Sequence, residues 1–368
     1  MKCCSVRELG INIGKFPSGK FNNITDVAGI KVGHTTLVED NDIRTGVTVI
    51  MPNDKIFYNK FLANSFVLNG AGEVSGLTQL TEWGLLETPI ALTNTMGVGA
   101  VSNAVVKWMS QKYEKIWNAR DVVIPVVGEC DDSFLHNTVS FPLKKEDVIK
   151  ALMTSTSGVI EQGSVGAGTG MICCDLKSGI GSSSRVIELD GVSYTIGMLV
   201  LSNFGHMEDM RVDGFPIGKI LAQKLGNYKR RVDNYGSIIA IMATDLPVSP
   251  HQLQRLCKRA ALGIGRVGSY AAHGSGEIIV GFSTANIIKH GASKAHYELN
   301  LILDDFISHA YQAVIDATEE AILNSLTYST DMTGMDDNFV PGICHKTLKE
   351  AYLKFKSTEE ELRKSFRG

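Results

Sequence analysis

Asn234-Tyr235-Gly236-Ser237-Ile238-Ile239-Ala240-Ile241-Met242-Ala243-Thr244-Asp245 is the stretch on which the reading of this chain turns. A polar segment from Gly226 through Lys229, Arg230 and Arg231 runs into it, and the β-branched apolar run Ile238–Ala243 follows at once. That change predicts a buried strand entered from a loop, with Ser237 at the junction. A hydroxyl there combines access from the loop with rigidity from the strand, which suits a nucleophile. Gly236 leaves its carbonyl unshielded and tolerates strained backbone. The adjacent hydroxyl can attack that carbonyl and move the acyl group from nitrogen to oxygen. Hydrolysis of the ester would leave Ser237 as a new N-terminus, whose α-amine, titrating near ~7.7–8.0, can act as base for its own hydroxyl. The chain also holds five Gly-Ser pairs, beginning at Gly163, Gly181, Gly236, Gly268 and Gly274, and such a pair equally forms a turn. Local chemistry alone leaves both readings open.

At 368 residues the chain is long enough for a large core. It is 44% hydrophobic and 20% charged, an ordinary soluble composition. A formal net charge of −3, from 36 basic and 39 acidic residues, gives no sign of a nucleic-acid or membrane partner. The run Lys229-Arg230-Arg231 reads as a solvated loop. Seven cysteines, two sets of them adjacent (Cys3-Cys4 and Cys173-Cys174), form no Cys-x-x-Cys and predict free thiols in a reducing compartment. The first twenty residues carry Arg7, Glu8, Lys15 and Lys20 and lack a signal-peptide core, so a cytoplasmic location is expected.

Strands are expected at 30–32, 45–51, 89–93, 121–127, 171–175, 194–202, 238–243 and 277–283. Helices are expected at 68–86, 98–117, 147–153 and 217–225. Another begins at Ser249-Pro250, a capping hydroxyl with proline in the first turn, and stops at Gly263. Helices over 304–326 and in a solvated tail from His345 complete the set. Residues 179–184 read as a hairpin turn. No repeat or linker divides the chain, and long apolar strands mixed with helices predict a layered α/β sandwich formed by one domain, 1–368.

Gly163, Gly166, Gly168 and Gly170 lack dinucleotide-loop spacing, and a strand follows them instead of a helix. There is no phosphate-binding loop and no His-Glu-x-x-His, and the nine histidines do not cluster at ligand spacings. His206 beside Glu208 and Asp209 reads as a solvated loop cluster, and His273 as a turn histidine.

A set of motifs then converges. Asn23–His34, Arg44–Thr48, Thr93–Thr95, Gly163–Met171 and Tyr194–Gly205 are followed by Gly236-Ser237 and Ala243–Asp245. Pro250–Leu253, Gly274–Glu277 and Ser283–Asn286 complete the series. In order and without a large gap, from about residue 22 to 335, the chain resembles the self-cleaving serine aminopeptidases, the family of L-aminopeptidase D-amidase/D-esterase and the β-peptidyl aminopeptidases. The resemblance implies a four-layer αββα sandwich, with the layering of N-terminal-nucleophile hydrolases but different connectivity. It implies cleavage between Gly236 and Ser237 into associated chains of residues 1–236 and 237–368, and a homo-oligomer, typically a tetramer. Ser237 matches the nucleophile and Asn203 the oxyanion-stabilising amide. Ser275 and Glu277 match the paired serine and glutamate near the nucleophile.

One position departs from the family pattern, in which a glutamate, any residue, a tyrosine and an aspartate follow the strand over 121–127. Here Glu129-Cys130-Asp131-Asp132 places Asp131 where the tyrosine stands. A phenol donates a hydrogen bond to an oxyanion and an ionised carboxylate does not. Glu129, Asp131 and Asp132 are therefore candidates to attract the free amino group of a peptide. The implied activity is release of N-terminal residues from short peptides, amides or esters through an acyl-enzyme, with no metal or organic cofactor. Two alternatives stand beside it. One is acyl transfer of the ornithine acetyltransferase type, where a threonine occupies the cut; the other is a non-enzymatic α/β binding protein in which Gly236-Ser237 is only a turn.

Overall fold

Along Gly236–Thr244 the side chains face two ways, and those two directions define the layers of the molecule. Ile238, Ala240 and Met242 pack on one side with Leu253, Leu256 and Ala317. Ile239, Ile241 and Ala243 pack on the other with Ile50, Ile90 and Leu92. A strand alternates its side chains across the sheet, so apolar residues at every position require cover on both faces. Each such isoleucine, fully buried, contributes roughly 1.5–3 kcal/mol.

The computed structural model describes residues 3–117, 121–226, 228–231, 236–291 and 295–366. Its first seven strands are β1 (Lys31–Glu39), β2 (Ile43–Met51), β3 (Asn59–Gly70), β4 (Val74–Ser75), β5 (Leu85–Leu86), β6 (Ile90–Asn94) and β7 (Val126–Cys130). A short hairpin, β8 (Ile172–Cys173) and β9 (Leu176–Lys177), precedes the long strands β10 (Ile180–Leu189), β11 (Val192–Phe204), β12 (Gly236–Thr244) and β13 (Gly276–Lys289). The helices are α1 (Leu77–Trp83), α2 (Val98–Lys112), α3 (Lys145–Met153), α4 (Gly218–Leu225), α5 (Pro250–Arg266), α6 (Ser308–Thr327) and α7 (His345–Ser365).

One sheet has five strands in the order β1-β2-β6-β7-β4, and the other six in the order β10-β11-β12-β13-β3-β5. Their facing surfaces share one apolar core. The outer face of the five-stranded sheet packs Val47, Val49 and Val127 against Val101, Val105 and Trp108 of α2 and Val148 of α3. The outer face of the six-stranded sheet is covered by α5 and α6. The result is the expected αββα sandwich. Among the described residues no helix is long and apolar enough to cross a membrane.

Several local expectations need correction. Residues 121–125 are not strand; β7 begins at Val126, directly after Pro125, which has no N–H for the ladder. Val122 is 70% exposed, so the apolar run there is not buried. Residues 179–184 are not a turn: Gly179 leads directly into β10, which takes up Ile180 onwards. Their small side chains are explained by α6, whose Ala321 carbonyl oxygen would lie 1.9 Å from a Cβ on Gly181. Helix α5 runs past Gly263 to Arg266, because that glycine admits Thr318 and the Ile315 carbonyl of α6 rather than ending the helix. Of residues 68–86 only Leu77–Trp83 is helical, since β3 extends to Gly70. The helix from residue 98 closes at Lys112. The tail helix α7 buries Leu348 and Tyr352 on one face.

Candidate active site

Strand register places the central groups. β11 and β12 run antiparallel with Asn203 opposite Ser237 and Phe204 opposite Gly236. β13 runs parallel to β12, with Glu277 opposite Ile238. Gly236 has φ +83°, and a Cβ there would meet the Asn203 carbonyl oxygen at 1.6 Å. Only glycine fits that combination of backbone angle and close approach. Tyr235 and Asn234 lie outside the described residues.

Ser237 is 7% exposed, and its Oγ accepts the Gly276 N–H at 3.2 Å. Among the described residues no acceptor takes the hydroxyl's own proton. Ser275 and Glu277 flank Gly276, and Ser275 Oγ donates to Glu277 Oε1. Asn69 fastens this turn from β3, its Nδ2 donating to the carbonyls of Ala272 (2.7 Å) and Ser275 (2.5 Å). A register shift between Glu277 and Ile278 marks a local irregularity where the turn enters β13. Burial raises the Glu277 carboxyl above the usual carboxylate range, and the Ser275 hydrogen bond partly offsets this. Its Oε2 is buried without a hydrogen-bond partner. A buried, under-satisfied carboxylate oxygen is a ready acceptor for an ammonium group.

Asn203 is fully buried and its amide is oriented by three bonds. Oδ1 accepts the Ile172 N–H at 2.9 Å and Arg231 Nη1 at 3.2 Å. Nδ2 donates to the Asp131 carbonyl at 2.8 Å. Two donors on one side and an acceptor on the other fix the assignment of oxygen and nitrogen.

The three acidic candidates have different surroundings. Glu129, the penultimate residue of β7, lies beside the serine: a Cβ on Gly72 would sit 3.2 Å from Glu129 Oε1 and 4.0 Å from Ser237 Oγ. Glu129 accepts the Glu73 N–H at 2.8 Å and the Thr95 hydroxyl. Burial raises its carboxyl, and those two bonds counter the rise. Asp131 is half-buried, and its carboxylate accepts both the N–H and the hydroxyl of Ser133 at 2.9 Å. Asp132 is 1% exposed, and burial pushes its carboxyl up to about 8. Thr45 and Asn94 lie nearby but pair with each other at 2.8 Å, leaving both Asp132 oxygens short of a full partner.

The basic run before Gly236 is solvated only in part: Lys229 is exposed, whereas Arg230 and Arg231 are half-buried. Lys229 Nζ donates to Asn338 Oδ1 at 2.6 Å, and Arg230 pairs with Glu208 at 2.8 Å. Arg231 reaches Asn203. Sequence reasoning missed Arg231, Thr95 and Gly72. Thr95 lay within a quoted motif, but nothing in the sequence said what its hydroxyl faces.

Over residues 22–340 the chain matches the model of peptidase family S58. It belongs to that family. The β-peptidyl aminopeptidase BapA of Sphingosinicella microcystinivorans is 38% identical over 370 residues, covering 95% of this chain and 92% of that protein. Among solved structures, a Pyrococcus horikoshii OT3 protein superposes with TM-score 0.91 at 42% identity, covering 96% of this chain and 99% of its own. The L-aminopeptidase D-Ala-esterase/amidase of Ochrobactrum anthropi gives TM-score 0.88 at 34% identity, with coverage of 96% and 99%. That enzyme is described as a prototype for the serine aminopeptidases and a new variant among the Ntn hydrolase fold. The S58 chain described here is accordingly an aminopeptidase, a hydrolase of peptide bonds, and the acetyltransferase and non-enzymatic readings give way.

Proposed function

We propose that this S58 peptidase cuts itself between Gly236 and Ser237 and then uses Ser237 to release N-terminal residues from short peptides, amides or esters. The observation that carries the reading is the arrangement around that bond. A glycine at positive φ is pressed against the Asn203 backbone, and the following hydroxyl lies opposite the Asn203 side chain. In the mature enzyme the Ser237 amine takes the proton from Oγ as Oγ attacks the substrate carbonyl. Asn203 Nδ2 carries two hydrogens and spends one on Asp131, so the second is available to the oxyanion. Ser275 and Glu277 hold the Ser237 ammonium between proton transfers. An acyl-enzyme forms and water hydrolyses it.

Glu129 is the acidic residue placed to anchor the substrate's free ammonium, because it borders the nucleophile. Asp131 and Asp132 shape the field around it. β-Peptides are candidate substrates by analogy with the BapA relative. A cytoplasmic homo-oligomer, a tetramer by the family resemblance, accompanies this reading; free thiols at all seven cysteines support a reducing compartment. The test compares an aminoacyl amide with its N-acetyl analogue. The free-amine substrate is expected to be hydrolysed and the acetylated one spared. Equal turnover of the two would remove Glu129 from its role, and no turnover of any aminoacyl amide would overturn the function.

A further inference from the structure

Arg231 lies beside the proposed cut and, among the described residues, makes no ion pair. Its Nη2 donates to the Ile172 carbonyl at 2.8 Å and its Nη1 to Asn203 Oδ1, both neutral acceptors. Its Nε is buried without a partner. Among the described residues it makes no ion pair, whereas its neighbour Arg230 pairs with Glu208 at 2.8 Å and Asp175 at 3.4 Å. A guanidinium carries five N–H donors in a fork that matches a carboxylate, and burying one without an anion is costly. Burial accordingly depresses its pKa, and Asp175 and Asp131 oppose the shift only in part. Gly236 also lies against this guanidinium: Nη1 is 3.1 Å from the point a Gly236 Cβ would occupy.

The geometry points to Arg231 as the receptor for the carboxylate that self-cleavage creates on Gly236. This rests on the processing reading above and deepens it. The chemistry has two steps. In the first, the Gly236 carbonyl carbon bonds to Ser237 Oγ, its bond to the Ser237 nitrogen breaks, and the hydroxyl proton moves to that nitrogen. In the second, water adds to the ester carbon, the carbon–Oγ bond breaks, and a proton returns to Oγ. Gly236 is left as a carboxylic acid that loses its remaining proton to solvent at neutral pH. The new anion forms on the same residue whose Cα already adjoins the guanidinium. A cation with no directly bonded anion among the described residues gains one in the cleaved state, so the pair favours hydrolysis over return of the acyl group to the amine. It also ties down the end of the first chain.

The test exposes folded, mature protein to carboxypeptidase Y and follows the mass of the first chain in wild type, R231K and R231M. The wild-type chain is expected to keep its 236-residue length, with Gly236 held. R231M is expected to be trimmed on the order of 10-fold faster, since trimming tracks the population of the undocked end. R231K keeps the charge without the fork and is expected to fall between them; it also serves if the methionine variant matures poorly. Peptidase activity measured on the same samples shows whether the folded site survives each substitution. A cleaved wild-type chain trimmed as fast as R231M, or equal protection of all three, would overturn this inference alone. A wild-type mass of the whole chain would overturn the processing reading and this inference with it.

Discussion

Two Gly-Ser pairs enter the six-stranded sheet on either side of β11: Gly181-Ser182 at the start of β10 and Gly236-Ser237 at the start of β12. In both, the glycine is required because another backbone passes too close for a Cβ, at 1.9 Å from Ala321 and 1.6 Å from Asn203 respectively. Their hydroxyls have different company. Ser182 Oγ donates to the Met198 carbonyl at 2.6 Å and accepts the Ile24 N–H at 2.9 Å, so both of its roles are filled by main chain. Ser237 Oγ is held by the Gly276 N–H and keeps its proton, with Asn203 opposite and the Ser275–Glu277 pair alongside. Gly236 adds the positive φ that Gly181 does not need. The dipeptide is the same; the neighbours make one serine a fastener and leave the other as the proposed nucleophile.

The comparison breaks most sharply at the proposed nucleophile. Ser237→Ala is expected to remain one 368-residue chain and to lose peptidase activity by at least about 10³-fold. A cleaved or active alanine variant would return Ser237 to the same class as Ser182. Gly236→Ala is next. It forces a Cβ onto the Asn203 carbonyl at a positive φ, so gel electrophoresis after expression is expected to show little or no cleavage.

Glu129→Gln sharpens the picture of substrate binding. The loss of charge beside the incoming ammonium is expected to lower kcat/KM by roughly 10–100-fold, mostly through KM. The pH dependence follows from the same group. Its carboxyl is raised by burial, so wild-type kcat/KM is expected to fall as pH drops through that raised value. The glutamine variant is expected to lack that limb. A profile unchanged by the substitution would assign the acid limb elsewhere.

Ser182→Ala probes the other side. It leaves the Ile24 N–H buried and unsatisfied, at a cost of about 1–3 kcal/mol by denaturant unfolding, while cleavage and activity persist. Smallest is Asp132→Asn. Its folded carboxyl titrates near 8 against 3.8 for the free side chain, so the folded state binds the extra proton between those values. Wild-type stability therefore declines as pH rises from about 4 through 8. The asparagine variant is expected to lose that decline and so to gain stability relative to wild type between pH 5 and pH 8. An unchanged pH slope would show that Asp132 is ionised in the fold.

The sandwich was legible because its central strands are apolar on both faces, which Ile238–Ala243 shows in a single run. β3 was not read. It crosses the same sheet but carries Asn59, Asn64, Ser65 and Asn69, and polar residues conceal a strand when they are held by neighbours instead of water. The Gly181–Ser184 run was misread for a related reason. Small polar residues mark a turn or a place where a helix backbone presses close, and composition does not separate the two. At the site, Ser237, Asn203, Ser275 and Glu277 were reached through family motifs, and strand register brings Ser237 and Asn203 to adjacent positions with Gly276 bonded to the serine. Arg231 was hidden by its company, since three consecutive cations look like surface until the fold directs one inward.

The central claim is settled most directly by the intact mass of the freshly purified wild-type protein under denaturing conditions, measured beside its peptidase activity. The expected result is two species, residues 1–236 and 237–368, whose masses sum to the uncut chain plus one water. A single uncut chain that hydrolyses aminoacyl amides at full rate would contradict it.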